Sequence, residues 1–376
     1  MRVLIDAVHA ADVWTLGAVE DRMVAGGART LWLSREGKEA VTDLIEARRG
    51  EHVVASTAGR SRASLPRELA HRDRVAWRTA RRFRPDVILT RSPAGVHAGR
   101  LTGTPVLYDT DDGHVAGMLY WLAGPLAHVI ATPAATTRSY GRRHRRYRGY
   151  KELTYLHPRR FTPDAEVRAE LGLAAGERLL VLRLTAFRAS HDAREAGLAR
   201  ADIDHVLGAL EHVGKVVISS EGELPADLAD RGLAIRPERF HHVLAAADLV
   251  VGDSQTVCSE SAVLGIPNLR FNSWAGRHAY QVELEQRWGL TRAFSLDQRA
   301  LWYAELDRVL GDLDGMATLH AERRRAMLDW CDDPVDDLAR WATELAQRRR
   351  RSGARSVSRL RAWWRGASGT PPSRHG

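Results

Sequence analysis

Short apolar runs alternate with longer amphipathic stretches through most of this 376-residue chain, and this alternation constrains the fold more than any other feature. The run from Val3 to Ile5, for example, precedes a helix-like stretch over 13–25, and the next run begins at Thr30. A strand, a crossover long enough for a helix and a second strand together form a parallel pair. The sequence therefore predicts an α/β fold built from βα units.

The βα pattern occurs twice. Apolar runs in the first half predict six strands, at 3–5, 30–33, 52–54, 86–89, 105–107 and 128–131. Those in the second half predict five, at 179–182, 216–218, 234–235, 249–251 and 268–270. The segment 157–176 has two prolines, two glycines and a short polar helix, which is typical of a linker. We therefore expect two Rossmann-like domains, 1–156 and 177–335, facing a cleft, in keeping with a length of about two domains.

The last segment, 336–376, is predicted to be a helix followed by a basic tail. From Arg348 onward there are nine arginines and no acid, and removing those nine from the 56 Lys and Arg leaves 47, equal to the 47 Asp and Glu. Four apolar residues share one arc of a predicted tail helix, opposite its arginines: Val357, Leu360, Trp363 and Trp364. Such a helix suits an anionic membrane surface. A disordered tail and a helix packed on a partner are the alternatives.

A second basic run extends from Arg138 to Arg148 and includes Tyr140 and Tyr147. We expect it to face a membrane or a polyanionic acceptor. Nucleic acid is not expected as a partner, because the chain before the tail is charge-balanced and contains no helix-turn-helix or single-strand-binding pattern. The sequence does not predict an oligomeric state.

Neither a membrane span nor a secretory signal is expected. No apolar run approaches the ~18 residues that a membrane-spanning helix needs, and Asp6 interrupts the first apolar run after three residues.

The two cysteines, Cys258 and Cys331, do not form a disulfide framework or a zinc-binding spacing. We expect a cytoplasmic protein without structural metal, peripheral at the inner face of the cell membrane if the tail binds lipid.

The strongest motif follows the apolar run at 249–251. It consists of Asp253, Ser254, Gln255 and Thr256, at the start of a predicted helix. Unpaired amides and the positive end of the helix dipole favour a phosphate or diphosphate there. Glu260 lies four residues beyond Thr256, on the same side of the helix, where its carboxylate suits ribose hydroxyls. The alternative is a strand-to-helix turn in which Asp253 or Ser254 is only the N-cap.

Acidic residues follow the predicted strand at 105–107. Asp109, Asp111, Asp112 and then His114 lie at its carboxyl end, where open α/β sheets bind ligands. Neighbouring carboxylates raise one another's pKa, so one of them can act as a general base, and we predict Asp111 and Asp112 as catalytic. Magnesium binding and a solvated capping cluster are the alternatives.

The second half supplies further candidates. Arg183, at the end of a predicted strand, can fork onto phosphate oxygens. His191 beside Asp192 is predicted to be a catalytic acid or base, or a phosphate donor, although the two residues also suit a helix cap. His241 and His242 are predicted to contact the nucleobase or phosphate, with ordinary surface histidines as the alternative.

The first half supplies candidates for the acceptor side. Asp6 and His9 follow the first predicted strand, at the same sheet edge as the acidic residues. Lys151 is one of only three lysines, and its ammonium group suits a sugar phosphate or a carboxylate.

Several segments together carry a family resemblance: 108–114, 149–156, 183–192, 241–249 and 253–267. They are similar to an uncharacterised archaeal and bacterial family held to have the two-domain GT-B fold. The last of them resembles the nucleotide-sugar motif of UDP-N-acetylglucosamine 2-epimerases and GT-B glycosyltransferases. The resemblance implies that Ser254 and Glu260 bind the phosphate and ribose of UDP, and that Asp111 or Asp112 is a catalytic acid.

The chain departs from the family pattern at two places. The epimerases have two glycines where this chain has Gln255 and Thr256, and the family has histidines near the positions of Asp12 and Trp14. The first change limits how closely the backbone approaches a phosphate.

We therefore predict transfer of a sugar from a nucleotide diphosphate sugar to a saccharide or lipid-linked acceptor, in surface polysaccharide or glycolipid synthesis. Ser254, Thr256 and Arg183 would offset charge on the departing diphosphate. Asp111 would take the acceptor proton. The scheme requires no cofactor and no divalent metal. The alternatives are a UDP-N-acetylglucosamine 2-epimerase-like enzyme and a non-catalytic nucleotide-sugar-binding or membrane-assembly protein.

Overall fold

A computed structural model describes residues 1–37, 40–57, 65–111, 118–185 and 197–367, without the side chains of 118–120 and 352–367. The described strands, in chain order, are β1 (Arg2–Asp6), β2 (Arg29–Glu36), β3 (His52–Thr57), β4 (Val87–Thr90), β5 (Val106–Asp109), β6 (Val129–Pro133), β7 (His144–Tyr147), β8 (Leu179–Leu184), β9 (Lys215–Ser220), β10 (Leu249–Gly252), β11 (Asn268–Phe271) and β12 (Arg292–Phe294).

The described α-helices, in chain order, are α1 (Ala10–Ala25), α2 (Val41–Ala47), α3 (Leu65–Phe83), α4 (Pro93–Thr102), α5 (Met118–Ala123), α6 (Leu153–Leu156), α7 (Glu166–Glu170), α8 (Arg200–Glu211), α9 (Phe240–Ala246), α10 (Gln255–Leu264), α11 (Ala279–Gln286), α12 (Arg299–Leu310), α13 (Leu313–Trp330) and α14 (Pro334–Ala367). Among them, none combines the length and the apolar character needed to cross a lipid bilayer.

The strands form two parallel sheets. The first lobe has seven, in the order β3-β2-β1-β4-β5-β6-β7, and the second has five, in the order β12-β11-β10-β8-β9. Helices cover both faces of a parallel sheet, so its central strands are apolar on both sides. In β1, accordingly, Val3, Leu4 and Ile5 are all fully buried, and in β10 so are Leu249, Val250 and Val251. The predicted α/β fold of two Rossmann-like domains facing a cleft is confirmed.

Most predicted strands are found, but three segments differ. The strand predicted at 234–235 is wrong, because only Gly232 makes a single bridge to Ile218 there and Pro237, which has no amide hydrogen, soon follows. Two strands were not predicted: β7, which carries arginines at the edge of the first sheet, and β12, with three residues. The segment 157–176 contains α7, the short helix expected there.

The C-terminal helix α14 returns to the first lobe. Its first half packs into the same apolar core as β1 and α1, through Val335, Leu338, Trp341, Ala342 and Leu345. Farther along, Arg349 donates to the carbonyl of Pro85 and the hydroxyl of Thr104. The segment that ends the second half of the sequence therefore completes the core of the first lobe, and its helix continues to Ala367.

Replacing Leu338 with alanine tests this packing. Leu338 is 1% exposed, so its truncation should lower the free energy of unfolding in urea by about 2–5 kcal/mol. Arg340→Ala on the same helix is the control, because its ion pairs are exposed and its loss should change stability by less than about 0.5 kcal/mol. Equal stability of the two variants would show that α14 does not belong to this core.

Candidate functional site

Arg91 is the centre of the first-lobe site. It follows β4, and its guanidinium bonds three carboxylates: Nε to Asp12 at 2.9 Å, Nη1 to Asp109, and Nη2 to Asp111 at 2.5 Å. Only 9% of the Arg91 side chain is exposed. Arg91 is not among the residues predicted from sequence motifs, although its place at the carboxyl end of a central strand was a usable signal.

Lys151 extends this cluster toward the second lobe. Its ammonium group pairs with the second oxygen of Asp111 and lies 3.4 Å from the hydroxyl of Tyr280, at the start of α11. Burial alone would lower the pKa of Lys151, but the Asp111 carboxylate raises it well above its ordinary value. Lys151 therefore stays charged and links the acidic loop of the first lobe to the second lobe.

The two aspartates of this loop differ in pKa. Burial would raise the pKa of Asp111, but Lys151 and Arg91 outweigh it and hold this pKa below its ordinary value. Burial raises the pKa of Asp109 to about 6, against the opposing charge of Arg91. Asp109 Oδ1 has no hydrogen-bond partner in the described part of the chain. Asp111, predicted as the base, is thus the more firmly ionised residue and the weaker proton acceptor.

Glu152 is another buried acid beside this cluster, and it is not among the residues predicted from the sequence. It is fully buried, and neither carboxylate oxygen accepts a hydrogen bond from any described residue. The nearest cation is Lys151, with 3.8 Å between its Nζ and Glu152 Oε1. Burial raises the pKa of Glu152 to about 7, although Lys151 lowers it. In the sequence, only the preceding residue, Lys151, marked this segment as a candidate. The burial of Glu152 comes from the tertiary fold.

The second-lobe site begins at α10. Ser254 is its N-cap, and the serine hydroxyl accepts the amide of Val257 at 3.4 Å. In the described part of the chain no acceptor is bonded to the amides of Gln255 and Thr256. The predicted capping and the predicted unpaired amides thus occur together, at the carboxyl end of β10.

Glu260, one turn into α10, lies where the lobes meet. It accepts the hydroxyl of Tyr155 at 2.8 Å and lies 3.1 Å from His241 Nε2. Trp14 of α1 packs against both partners, with ring centroids 4.7 Å from His241 and 6.0 Å from Tyr155. Trp14, Tyr155, His241 and Phe161 line an interlobe cavity of about 270 Å³. The structure therefore brings the predicted residues Glu260 and His241 together.

Other predicted binding residues are engaged within the protein. Asp253 accepts the amides of Thr185 at 2.7 Å and Leu198 at 3.4 Å, and burial raises its pKa to about 6. Arg183 donates to Ser219 at 2.8 Å and pairs with Glu221 at 2.9 Å. The carboxylate of Asp253 thus connects the end of β10 to the end of β8 and to the segment before α8. The guanidinium of Arg183 is bonded to β9 and to the residue that follows it.

The remaining first-half candidates also have internal contacts. Asp6 is fully buried and bonds Arg72, the hydroxyls of Thr90 and Ser92, and the amide of Gly95. His9 is the exposed N-cap of α1.

In the second lobe, His242 Nδ1 accepts the amide of Asp164 at 3.1 Å. Four predicted residues lie outside the described ranges: Asp112, His114, His191 and Asp192. Within those ranges, no three His, Cys, Asp or Glu side chains come together in a way that would hold a metal ion.

Comparison with known proteins gives the fold. No family model matches the chain, and no curated protein sequence matches it. Among solved structures it is similar to the glycosyltransferase SnogD from Streptomyces nogalater, at 17% identity and a TM-score of 0.59, with 92% of this chain and 99% of that one covered. A Listeria monocytogenes structure named for UDP-N-acetylglucosamine 2-epimerase matches at 13% identity and a TM-score of 0.61, over 100% and 99% of the two chains.

A third similar structure is the glycosyltransferase VinC in complex with DTDP. It matches at 14% identity and a TM-score of 0.58, over 93% of this chain and 100% of that one. The chain thus has the two-lobed architecture of glycosyltransferases and of an epimerase along nearly its whole length.

The protonation of Glu152 makes a testable prediction. Its pKa rises from an ordinary 4.5 to about 7 on folding, so between these values the folded protein binds more protons than the unfolded chain. Stability from this group is present below pH 4.5 and is lost as the pH rises through 7. Glu152→Gln should therefore gain stability relative to wild type as the pH rises from 4.5 to 8, by up to about 3 kcal/mol.

Urea unfolding of both proteins across this pH range measures the difference. Glu322→Gln, at an exposed position on α13, is the matched control and should show a constant difference from wild type. A constant difference for Glu152→Gln as well would mean that Glu152 is ionised in the folded protein at neutral pH.

Proposed function

We propose that this chain is a glycosyltransferase that moves a sugar from a nucleotide diphosphate sugar to an acceptor bound by the first lobe. The observation that carries the proposal is the start of α10, whose Gln255 and Thr256 amides lie at the carboxyl end of β10 within a fold similar to that of glycosyltransferases. Amides at a helix N-terminus bind phosphate oxygens and favour their negative charge. The DTDP complex of VinC supports a nucleoside diphosphate as the ligand class.

The binding roles follow from the contacts. The amides of α10 and the hydroxyl of Thr256 would bind the diphosphate and stabilise charge developing on it as the sugar departs. Glu260 would accept ribose hydroxyls, using carboxylate capacity beyond its bonds to Tyr155 and His241. Arg183 would reach the diphosphate only by leaving Glu221, so we give it a secondary role.

The proton of the acceptor hydroxyl would go to the acidic cluster. Asp111 is part of this cluster and, through Lys151, faces the second lobe. Asp109 and Glu152, whose pKa values are raised to about 6 and about 7, provide proton-accepting capacity near neutral pH. We propose that Asp111 orients the acceptor and that the cluster as a whole takes up the proton.

An epimerase acting at C2 of a sugar nucleotide is the second candidate. It is favoured by two buried acids with pKa values near neutral pH and by the fold similarity to the Listeria monocytogenes structure. Such a reaction needs one group to remove a proton and another to return it. The acceptor distinguishes the two reactions: an epimerase isomerises one sugar nucleotide alone, whereas a transferase releases free nucleoside diphosphate when an acceptor is present.

Binding is tested first, with a thermal-shift and calorimetry panel of UDP, dTDP and GDP sugars. Glu260→Gln keeps the size of the side chain but removes its charge, and should weaken binding of the best sugar nucleotide at least about 10-fold. Glu322→Gln should bind as wild type does. If no sugar nucleotide stabilises the wild-type protein, the proposal fails.

Turnover is tested with Asp111→Asn, using the best sugar nucleotide and a panel of saccharide and lipid-linked acceptors. The variant should keep nucleotide binding within a few-fold, while its rate of nucleoside diphosphate release falls by about 10²-fold or more. Unchanged turnover would remove Asp111 from the reaction. Tight binding without turnover by the wild-type protein would instead favour a non-catalytic nucleotide-sugar-binding protein.

A further inference from the structure

A surface on the edge of the first lobe combines exposed apolar side chains with arginines. Its apolar part lies on α5 and the turn after it, where Trp121 is 63% exposed, Leu122 37% and Leu126 38%. Its basic part lies on and before β7, the edge strand of the seven-stranded sheet. We call these residues the α5–β7 surface: Trp121, Leu122, Leu126, Arg142, Arg143, Arg145 and Arg146.

The apolar and basic parts are in direct contact. Arg143 Nη1 donates to the carbonyl of Pro125 at 2.5 Å and to that of Ala127 at 3.4 Å, on either side of Leu126. The guanidinium carbon of Arg138 lies 5.7 Å from the centroid of the Trp121 ring. Arg138 and Arg143 therefore lie against the exposed apolar groups, and Arg142, Arg145 and Arg146 are at the same edge of the sheet.

Carboxylates of the described residues do not balance the charge of the β7 arginines. Residues 113–151 contain six arginines, one lysine and no acidic residue. Arg142, Arg143, Arg145 and Arg146 are exposed, and no carboxylate of a described residue lies within 4.0 Å of any of them. Their neighbour Arg148, in contrast, pairs with Asp332 at 2.7 Å. The surface thus has a local positive charge available to an anionic partner.

Protection of the sheet edge explains only part of this composition. Charged side chains on an edge strand prevent pairing with another chain, which accounts for arginines on β7. It does not account for Trp121 and two leucines exposed beside them. Tryptophan with apolar neighbours and surrounding arginines is the combination that enters the headgroup region of anionic bilayers. Nucleic acid would use the arginines and the aromatic ring but gain little from the leucines.

We propose that the α5–β7 surface docks the protein on an anionic lipid bilayer, independently of its C-terminal tail. Docking would hold the protein at the surface of an anionic bilayer. If the proposed transfer reaction is correct, this favours an acceptor carried on a lipid. The binding itself does not depend on that reaction.

Co-sedimentation of the full-length protein with phosphatidylcholine vesicles, with and without phosphatidylglycerol, tests the proposal. Wild type should bind only the vesicles that contain phosphatidylglycerol. Each arginine near the surface contributes about 1 kcal/mol, so Arg142→Glu/Arg145→Glu should lower the partition coefficient at least about 10-fold. Trp121→Ser should also lower it several-fold without changing the urea midpoint, because the ring is largely exposed.

The matched control is Arg74→Glu/Arg78→Glu on α3, which makes the same change of charge at two exposed positions. It should bind vesicles nearly as well as wild type. Equal losses of vesicle binding in both double variants would mean that only net charge matters. Full vesicle binding by Arg142→Glu/Arg145→Glu would assign the binding to the tail. Either result overturns the proposal. So would binding to duplex DNA that requires the same residues while vesicle binding does not.

Sugar-nucleotide thermal shifts on the same variants separate this proposal from the proposed function. These variants should keep the wild-type shift, because none of the changed residues lies at α10 or in the acidic cluster. Loss of vesicle binding with an intact shift supports the docking surface, whatever the outcome of the turnover assay.

Discussion

The site depends on one buried guanidinium that binds three carboxylates from two separate segments. Arg91 bonds Asp12 of α1 and both Asp109 and Asp111 at the end of β5. A buried carboxylate without a counter-charge costs several kcal/mol. Arg91 offsets this cost where the two segments come together. Lys151 continues the chain of opposite charges to the second lobe. The relative position of the acidic loop and α11 therefore follows from two cations.

Two cations do not neutralise all the acids around them. Arg91 and Lys151 are shared among Asp12, Asp109, Asp111 and Glu152. Burial raises the pKa of Asp109 to about 6 and that of Glu152 to about 7, because the two cations do not fully offset it. Groups that titrate near neutral pH beside fixed charges are typical of acid–base sites. Both proposed reactions, sugar transfer and epimerisation, need such a group, so the requirement for an acceptor is what distinguishes them.

The sequence predicted the architecture well because strand burial on both faces produces apolar runs that local patterns reveal, as in β1 and β10. It missed β7 because an edge strand with exposed arginines has no such run. It selected Asp111, Lys151 and Glu260 from motifs, but not Arg91 or Glu152, whose importance comes from burial and partners that only the tertiary fold supplies. It also assigned Asp6 to the acceptor loop, whereas the structure bonds its carboxylate to Arg72 and to three donors around the start of α4.

The start of α10, where we propose that a nucleotide binds, is connected to the position of the lobes through Glu260. Its carboxylate holds Tyr155, which belongs to α6 at the junction of the lobes, and His241, against which Trp14 of the first lobe packs. A ligand shifts a conformational equilibrium only through contacts that differ between its states. In the proposed complex a ribose hydroxyl would compete with these bonds or add to them. Nucleotide binding and contact between the lobes would then depend on the same carboxylate.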